Sequence, residues 1–264
     1  MIENELIKVT INAGIAQLSI NRPKAMNALS FETVSQLNQN VIKLEERGDI
    51  RVLIIRGENP AFCAGGDLKF FKEKIKDRDI EGFRRFLNLC GETFRRIEAF
   101  PCPTIAMVNG IAVAGGLELI LSCDLVIAAA SAKIGDGHAN FGVIPGGGSA
   151  IRLPRKIPVT LAKYLLFTGR LLPASELVAW GLVNKVVPDE QLEQAVEEIA
   201  ADIVKNSPLG LRITKQLVND GLQQSIDTAL NLEISAWDGY GHSYDILEGL
   251  NAFEEKRKPK FKGK

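Results

Sequence analysis

Two apolar runs in this chain end in glycine corners, and that pattern restricts the fold more than any other feature. RVLIIRG (Arg51–Gly57) empties into ENPAFCAGGDLKFF, and PTIAMVNG empties into IAVAGGLELILSCD, which ends at Asp124. Each run is short, apolar and free of polar alternation, as a strand buried on both faces is. Glycine then lets the chain turn sharply at the strand end. LVIAAA (Leu125–Ala130) is a third such run, and AKIGDG holds a short fourth. Buried strands interleaved with helical stretches predict an α/β fold.

The flanking segments fit that class. LIKVTI and IAQLSI alternate around Gly14 and read as a hairpin. NRPKAMNALS is a loop whose Ser30 can cap a helix running to about Arg47, with Glu32 near its positive end. An amphipathic helix is expected over Ile80–Glu98. After Pro154 strands nearly stop, and helices are expected over about 160–167, 174–180, 190–206, 209–221 and 226–237. The chain therefore divides into a core, residues 1–200, and a helical region, residues 201–264, of the kind that mediates assembly.

Composition excludes several function classes. With 32 basic and 32 acidic residues the formal charge is zero, so neither nucleic acid nor an anionic membrane is the favoured partner. Leu125–Ala130, the longest apolar run, is far too short to span a bilayer. MIENELIK carries no apolar signal core, so cytoplasmic residence is the expectation. The cysteines, Cys63, Cys90, Cys102 and Cys123, have no C-x-x-C spacing, and only two histidines occur. Neither a zinc site nor a disulfide framework is expected.

Common catalytic signatures fail on spacing. Gly110, Gly115 and Gly116 do not make G-x-G-x-x-G, and Gly116-Leu117 stands where a P-loop needs Lys-Ser/Thr. Ile151 replaces the second glycine of a nucleophile elbow around Ser149. What remains is a pair of glycine corners able to aim backbone N–H groups at one point, as an oxyanion hole does. Glu118, among Leu117, Leu119, Ile120 and Leu121, is either a buried acid/base with raised pKa or a glutamate favouring the helix dipole.

These blocks together resemble the crotonase superfamily, the enoyl-CoA hydratases and isomerases. SINRPKAMNALS is similar to a CoA-contact loop; RGENPAFCAGGDLKFF, PTIAMVNGIAVAGGLELILSCDLVIAAASAKIG and FGVIPGGGSAIRLPR resemble the signature blocks. LFTGRLLPASELVAWGLVNKVVP and EGLNAFEEKRKPKFKG are similar to its C-terminal part. The resemblance implies a spiral of ββα units and a C-terminal helical trimerisation region, giving a homotrimer or dimer of trimers. It implies an acyl-CoA substrate and no further cofactor or metal. Gly66 and Gly115 match the oxyanion donors. Lys24, Ala25, Ala64, Gly65, Asp67 and Leu68 match CoA contacts, and Phe253 and Lys256 match tail positions that reach a neighbouring subunit's CoA.

One position departs from the resemblance. Hydratases of this kind use two glutamates around a water, and Glu118 matches the first. The second falls four residues before Gly142, where this chain has His138. Three expectations follow: a mixed Glu118–His138 pair that adds water, with Asp136 orienting the imidazole; isomerisation by Glu118 alone; or a hydrolase using His138. For the hydrolase, the aspartate expected nine residues on is Gly147. A non-catalytic RNA-binding or structural role is the remote alternative. Asp124 reads as a structural acid, and His242 as a packed or surface histidine or a polar group near the pocket.

Overall fold

The computed structural model of the chain describes residues 5–264. β1 (Ile7–Asn12) and β2 (Ile15–Ile20) form the expected antiparallel hairpin, with Asn12 opposite Ile15. α1 (Phe31–Glu45) begins at Ser30, whose hydroxyl accepts the Thr33 N–H at 3.2 Å. Its Val34, Leu37, Val41 and Leu44 make one buried stripe.

Three passes of a strand–strand–helix unit follow. The first is β3 (Val52–Gly57), β4 (Ala61–Cys63) and the helices α2 (Leu68–Lys76) and α3 (Ile80–Glu98). The second is β5 (Thr104–Val108), β6 (Ile111–Val113) and α4 (Gly115–Leu121). The third is β7 (Leu125–Ala129), β8 (Lys133–Gly135), a 3-10 turn over His138–Phe141 and α5 (Ser149–Lys156). The chain continues through α6 (Val159–Thr168), β9 (Leu171–Pro173), α7 (Ala174–Ala179), β10 (Lys185–Val187) and α8 (Leu192–Val204). It closes with α9 (Pro208–Gly221), α10 (Ile226–Tyr240) and α11 (Tyr244–Glu254).

Each pass gives one strand to each of two sheets. The six-stranded sheet has the order β1-β2-β3-β5-β7-β10, and the four-stranded sheet has β4-β6-β8-β9. Beyond the hairpin the large sheet is parallel, so the apolar runs at β3, β5 and β7 are its central strands. This is the α/β class that the buried runs predict, in the spiral of ββα units that the resemblance implies. β4, β6 and α2 fall in segments read as loops, because a three-residue strand shows no periodicity. Pro154 lies inside α5, only the three-residue strands β9 and β10 follow it, and α11 adds a helix beyond those expected. The helix expected from Glu190 starts at Leu192, after a 3-10 turn over Asp189–Gln191.

The core is dense where the sheets meet α4, whose residues are all buried. A Cβ on Gly116 would overlap the Cys63 carbonyl oxygen of β4. Gly116→Ala is therefore expected to cost about 1–3 kcal/mol, the usual range for overpacking. A thermal melt of the variant checks this; an unchanged midpoint contradicts the close helix–strand contact. Asp124 accepts hydrogen bonds from the Thr104 N–H and hydroxyl at 2.7 and 2.9 Å and pairs with Lys215 Nζ at 2.8 Å, tying α9 to the core. All four cysteines are buried and unpaired. Burial pushes the Cys63, Cys102 and Cys123 thiols up to about 12, so they are protonated near neutral pH. On α9–α11 and the turn between them, Leu222, Ile226, Ile234, Trp237 and Phe253 are exposed.

Candidate active site

The small sheet assembles the site. β4 pairs parallel with β6, and β6 pairs parallel with β8. Their C-terminal ends therefore leave the sheet on the same edge. The segments leaving those ends are Ala64–Gly66, Ala114–Gly115 and Asp136–His138. Residues scattered over more than seventy positions of sequence thus meet because three short strands share direction and register.

The first two corners present backbone donors. Gly65 takes φ +90°, and a Cβ there would lie 2.8 Å from the Ala114 Cβ, so the two corners touch. Leu29 donates its N–H to Gly65 O, and Asp67 donates its N–H to Leu29 O. That pattern takes the groups on either side of Gly66 and leaves the Gly66 N–H without an acceptor among the described residues. Gly115 is the first residue of α4, so its N–H has no intrahelical acceptor. The intervening Ala114 has φ 53° and ψ −114°, an unfavourable conformation for a residue with a Cβ. Such strain costs on the order of 1–3 kcal/mol and clusters at functional sites.

Glu118 lies one turn into α4 and is 4% exposed. Its Oε1 accepts the Gly147 N–H at 2.8 Å and the Ser149 N–H at 3.2 Å. A Cβ on Gly147 would lie 2.5 Å from Oε2, so only glycine permits this approach. Burial raises the Glu118 pKa; nearby His138 and the Ser149 and Gly147 N–H groups oppose the shift without cancelling it. Glu118 is thus a buried carboxyl with a raised pKa, not an exposed glutamate at the helix start.

His138 begins the 3-10 turn after β8. Its Nδ1 lies 3.0 Å from Asp136 Oδ1, an ion pair when the ring is protonated. Asp136 is fully buried, and its Oδ1 also accepts the His138 backbone N–H at 3.3 Å. Its Oδ2 accepts the Ser149 hydroxyl at 2.6 Å. Burial alone would lower the His138 pKa, but Asp136 and then Glu118 outweigh it, and the net shift is upward. With Nδ1 turned to Asp136, Nε2 is the ring nitrogen left for a ligand.

Glu118, His138, Gly66 and Gly115 line one cavity of ≈ 230 Å³. Phe71, Phe83, Phe86 and Phe94 supply much of its apolar wall, and Phe141 and Ile144 are exposed at its rim. Ala64 and Leu68 also line it. Lys24 and Ala25 sit on a 3-10 turn outside that lining, with Lys24 exposed. Asp67 caps α2 through the Lys69 N–H and pairs with Arg22 at 3.1 Å. Phe253 and Lys256 are exposed at the end of α11, and His242 is exposed in the turn before it; none lines the cavity. No cluster of three or more His, Cys, Asp or Glu able to hold a metal occurs among the described residues. No helix among them is long and apolar enough to cross a membrane. Sequence reasoning missed Ser149 and the phenylalanines of α2 and α3, whose roles depend on tertiary contact.

Comparison with known proteins agrees with this geometry. The family model described as Enoyl-CoA hydratase/isomerase matches residues 10–264. A short-chain-enoyl-CoA hydratase of Clostridium acetobutylicum is 39% identical over 245 residues, 92% of each chain. A crotonyl-CoA hydratase of Syntrophomonas wolfei is 40% identical over 248 residues, 94% of each chain. The crystal structure of an enoyl-CoA hydratase from Bacillus anthracis superposes with a TM-score of 0.93 at 39% identity, covering 98% of this chain and 100% of that one. The chain belongs to the enoyl-CoA hydratase/isomerase family, the crotonase superfamily.

Proposed function

We propose that this protein is a hydratase that adds water to a 2-enoyl-CoA, with Glu118 and His138 as an unequal proton-carrying pair. The observation that carries the reading is that both side chains face one apolar cavity, beside the two corners that hold the Gly66 and Gly115 N–H groups. The thioester oxygen accepts hydrogen bonds from those two N–H groups. Charge develops on it as the double bond is attacked, and each donor of this kind is worth about 3–4 kcal/mol in related oxyanion holes.

Glu118, as carboxylate, takes a proton from water while the water oxygen bonds to C3. The electron pair of the double bond moves toward the thioester, and C2 receives a proton from His138 Nε2. The product is a 3-hydroxyacyl-CoA. The cycle closes when the proton on Glu118 passes to solvent and His138 recovers one. The pKa shifts suit these roles: a raised carboxyl is a stronger base, and Asp136 favours the imidazolium. The addition is heterolytic, and this chemistry calls on no metal or redox group.

Lys24, Ala25, Ala64, Gly65, Asp67 and Leu68 are the proposed contacts for the CoA arm. Phe253 and Lys256 are the proposed contacts to CoA on a neighbouring subunit of a homotrimer or dimer of trimers. The exposed apolar residues of α9–α11 support such assembly through region 201–264. A hydrolytic route through an aspartate at the Gly147 position is disfavoured, because a side chain there would displace Glu118.

A panel of acyl-CoAs in oxygen-18 water with mass detection tests the reading. Heavy oxygen on C3 of a 2-enoyl-CoA is the expected product. Double-bond migration without oxygen uptake, or CoA release, contradicts it.

A further inference from the structure

Ser149 bonds Glu118 directly and reaches His138 through Asp136, without lining the cavity. It is fully buried at the first turn of α5. Its backbone N–H holds Glu118 Oε1, and its hydroxyl donates to Asp136 Oδ2. Asp136 in turn presents Oδ1 to His138 Nδ1. A buried carboxylate divides its charge among its donors, so the serine hydroxyl and the imidazolium share Asp136.

We propose that Ser149 is a positioning residue that tunes the acid: its hydroxyl shares the Asp136 carboxylate and so keeps the His138 proton transferable, while its N–H aligns Glu118. This rests on the hydratase reading for its catalytic meaning, but not for its physical content. Without the hydroxyl, Oδ2 loses the one side-chain donor it has among the described residues, and the full carboxylate pulls on the imidazolium. His138 then holds its proton more tightly and releases it less readily.

The surroundings leave few competing influences. Asp136 from its own segment and Glu118 from α4 act on His138; the Cys90 thiol of α3 lines the same cavity, and burial pushes it up and keeps it protonated. α6 also packs against the His138 turn. Its Lys163 is exposed, and its Tyr164 hydroxyl is engaged by Arg170 at 2.8 Å, so neither adds to the pairing.

The test is a ring-nitrogen NMR titration of His138, which is tractable because the chain has only two histidines and His242→Gln assigns the other. In Ser149→Ala the His138 midpoint is expected to rise by about one pH unit, the scale of one hydrogen bond to a charged group. An unmoved or lowered midpoint overturns the proposal. Turnover on a 2-enoyl-CoA is expected to fall about tenfold by the same scale, with KM little changed, because Ser149 is outside the cavity lining. Ser149→Cys retains a weaker donor and is expected to give a smaller upward shift, which keeps the test open should the alanine variant fail to fold. An upward shift in a protein that adds no water supports the tuning and removes only the hydratase reading.

Discussion

Glu118→Gln is expected to lower turnover on a 2-enoyl-CoA by about 10²–10⁴-fold, the range that a positioned acid or base contributes. The substitution keeps shape and keeps an acceptor for the Gly147 and Ser149 N–H groups. It removes the group that takes the proton from water. The protein is expected to stay folded, because a buried charge is replaced by a neutral amide of similar volume. Thioester binding is also expected to persist, since the Gly66 and Gly115 donors are backbone groups. The effect therefore falls on kcat, with KM changing little. Steady-state kinetics with a thermal melt check both parts, and near-normal turnover in a folded variant removes Glu118 from the chemistry.

His138→Ala is expected to lose hydration by about 10²-fold or more while retaining acyl-CoA binding. The reason is again local. His138 supplies Nε2 to the cavity, whereas Asp136 keeps the Ser149 hydroxyl and the residue-138 backbone N–H after truncation. The buried carboxylate is thus not orphaned, and the variant is expected to fold. Kinetics and direct binding of a product analogue separate the outcomes. An unchanged rate reduces His138 to packing and favours proton transfer by Glu118 alone.

Much of this arrangement was legible in the sequence, for physical reasons that differ by residue. β3, β5 and β7 were readable because strands buried on both faces must be uninterrupted apolar runs. α1 was readable from its Ser30 cap and α3 from its periodicity alone; that Asp79 also caps α3 is visible only in the structure. Glu118 stood out because an acid in an apolar helix needs a reason. His138 stood out only through its register with Gly142, after the resemblance had supplied a pattern to depart from. β4 and β6 carry two corners of the site, yet at three residues each they offer almost no pattern, whereas β8 was read within AKIGDG. Ser149 was hidden because Pro154 and the glycine run before it masked α5. The phenylalanine wall was hidden because Phe71, Phe83, Phe86 and Phe94 meet only when α2 and α3 fold over the corners.

The pH dependence of kcat/KM in the wild-type protein and in His138→Ala tests the central claim most directly. Glu118 must be ionised, so activity is lost as pH falls through its raised pKa, above the ordinary carboxylate range. His138 must be protonated, so activity is lost as pH rises through its own raised pKa, above the ordinary imidazole value. The wild-type profile is therefore a bell. In His138→Ala the residual activity is predicted to keep the acid limb and lose the basic one. A basic limb that survives unchanged in that variant contradicts the account.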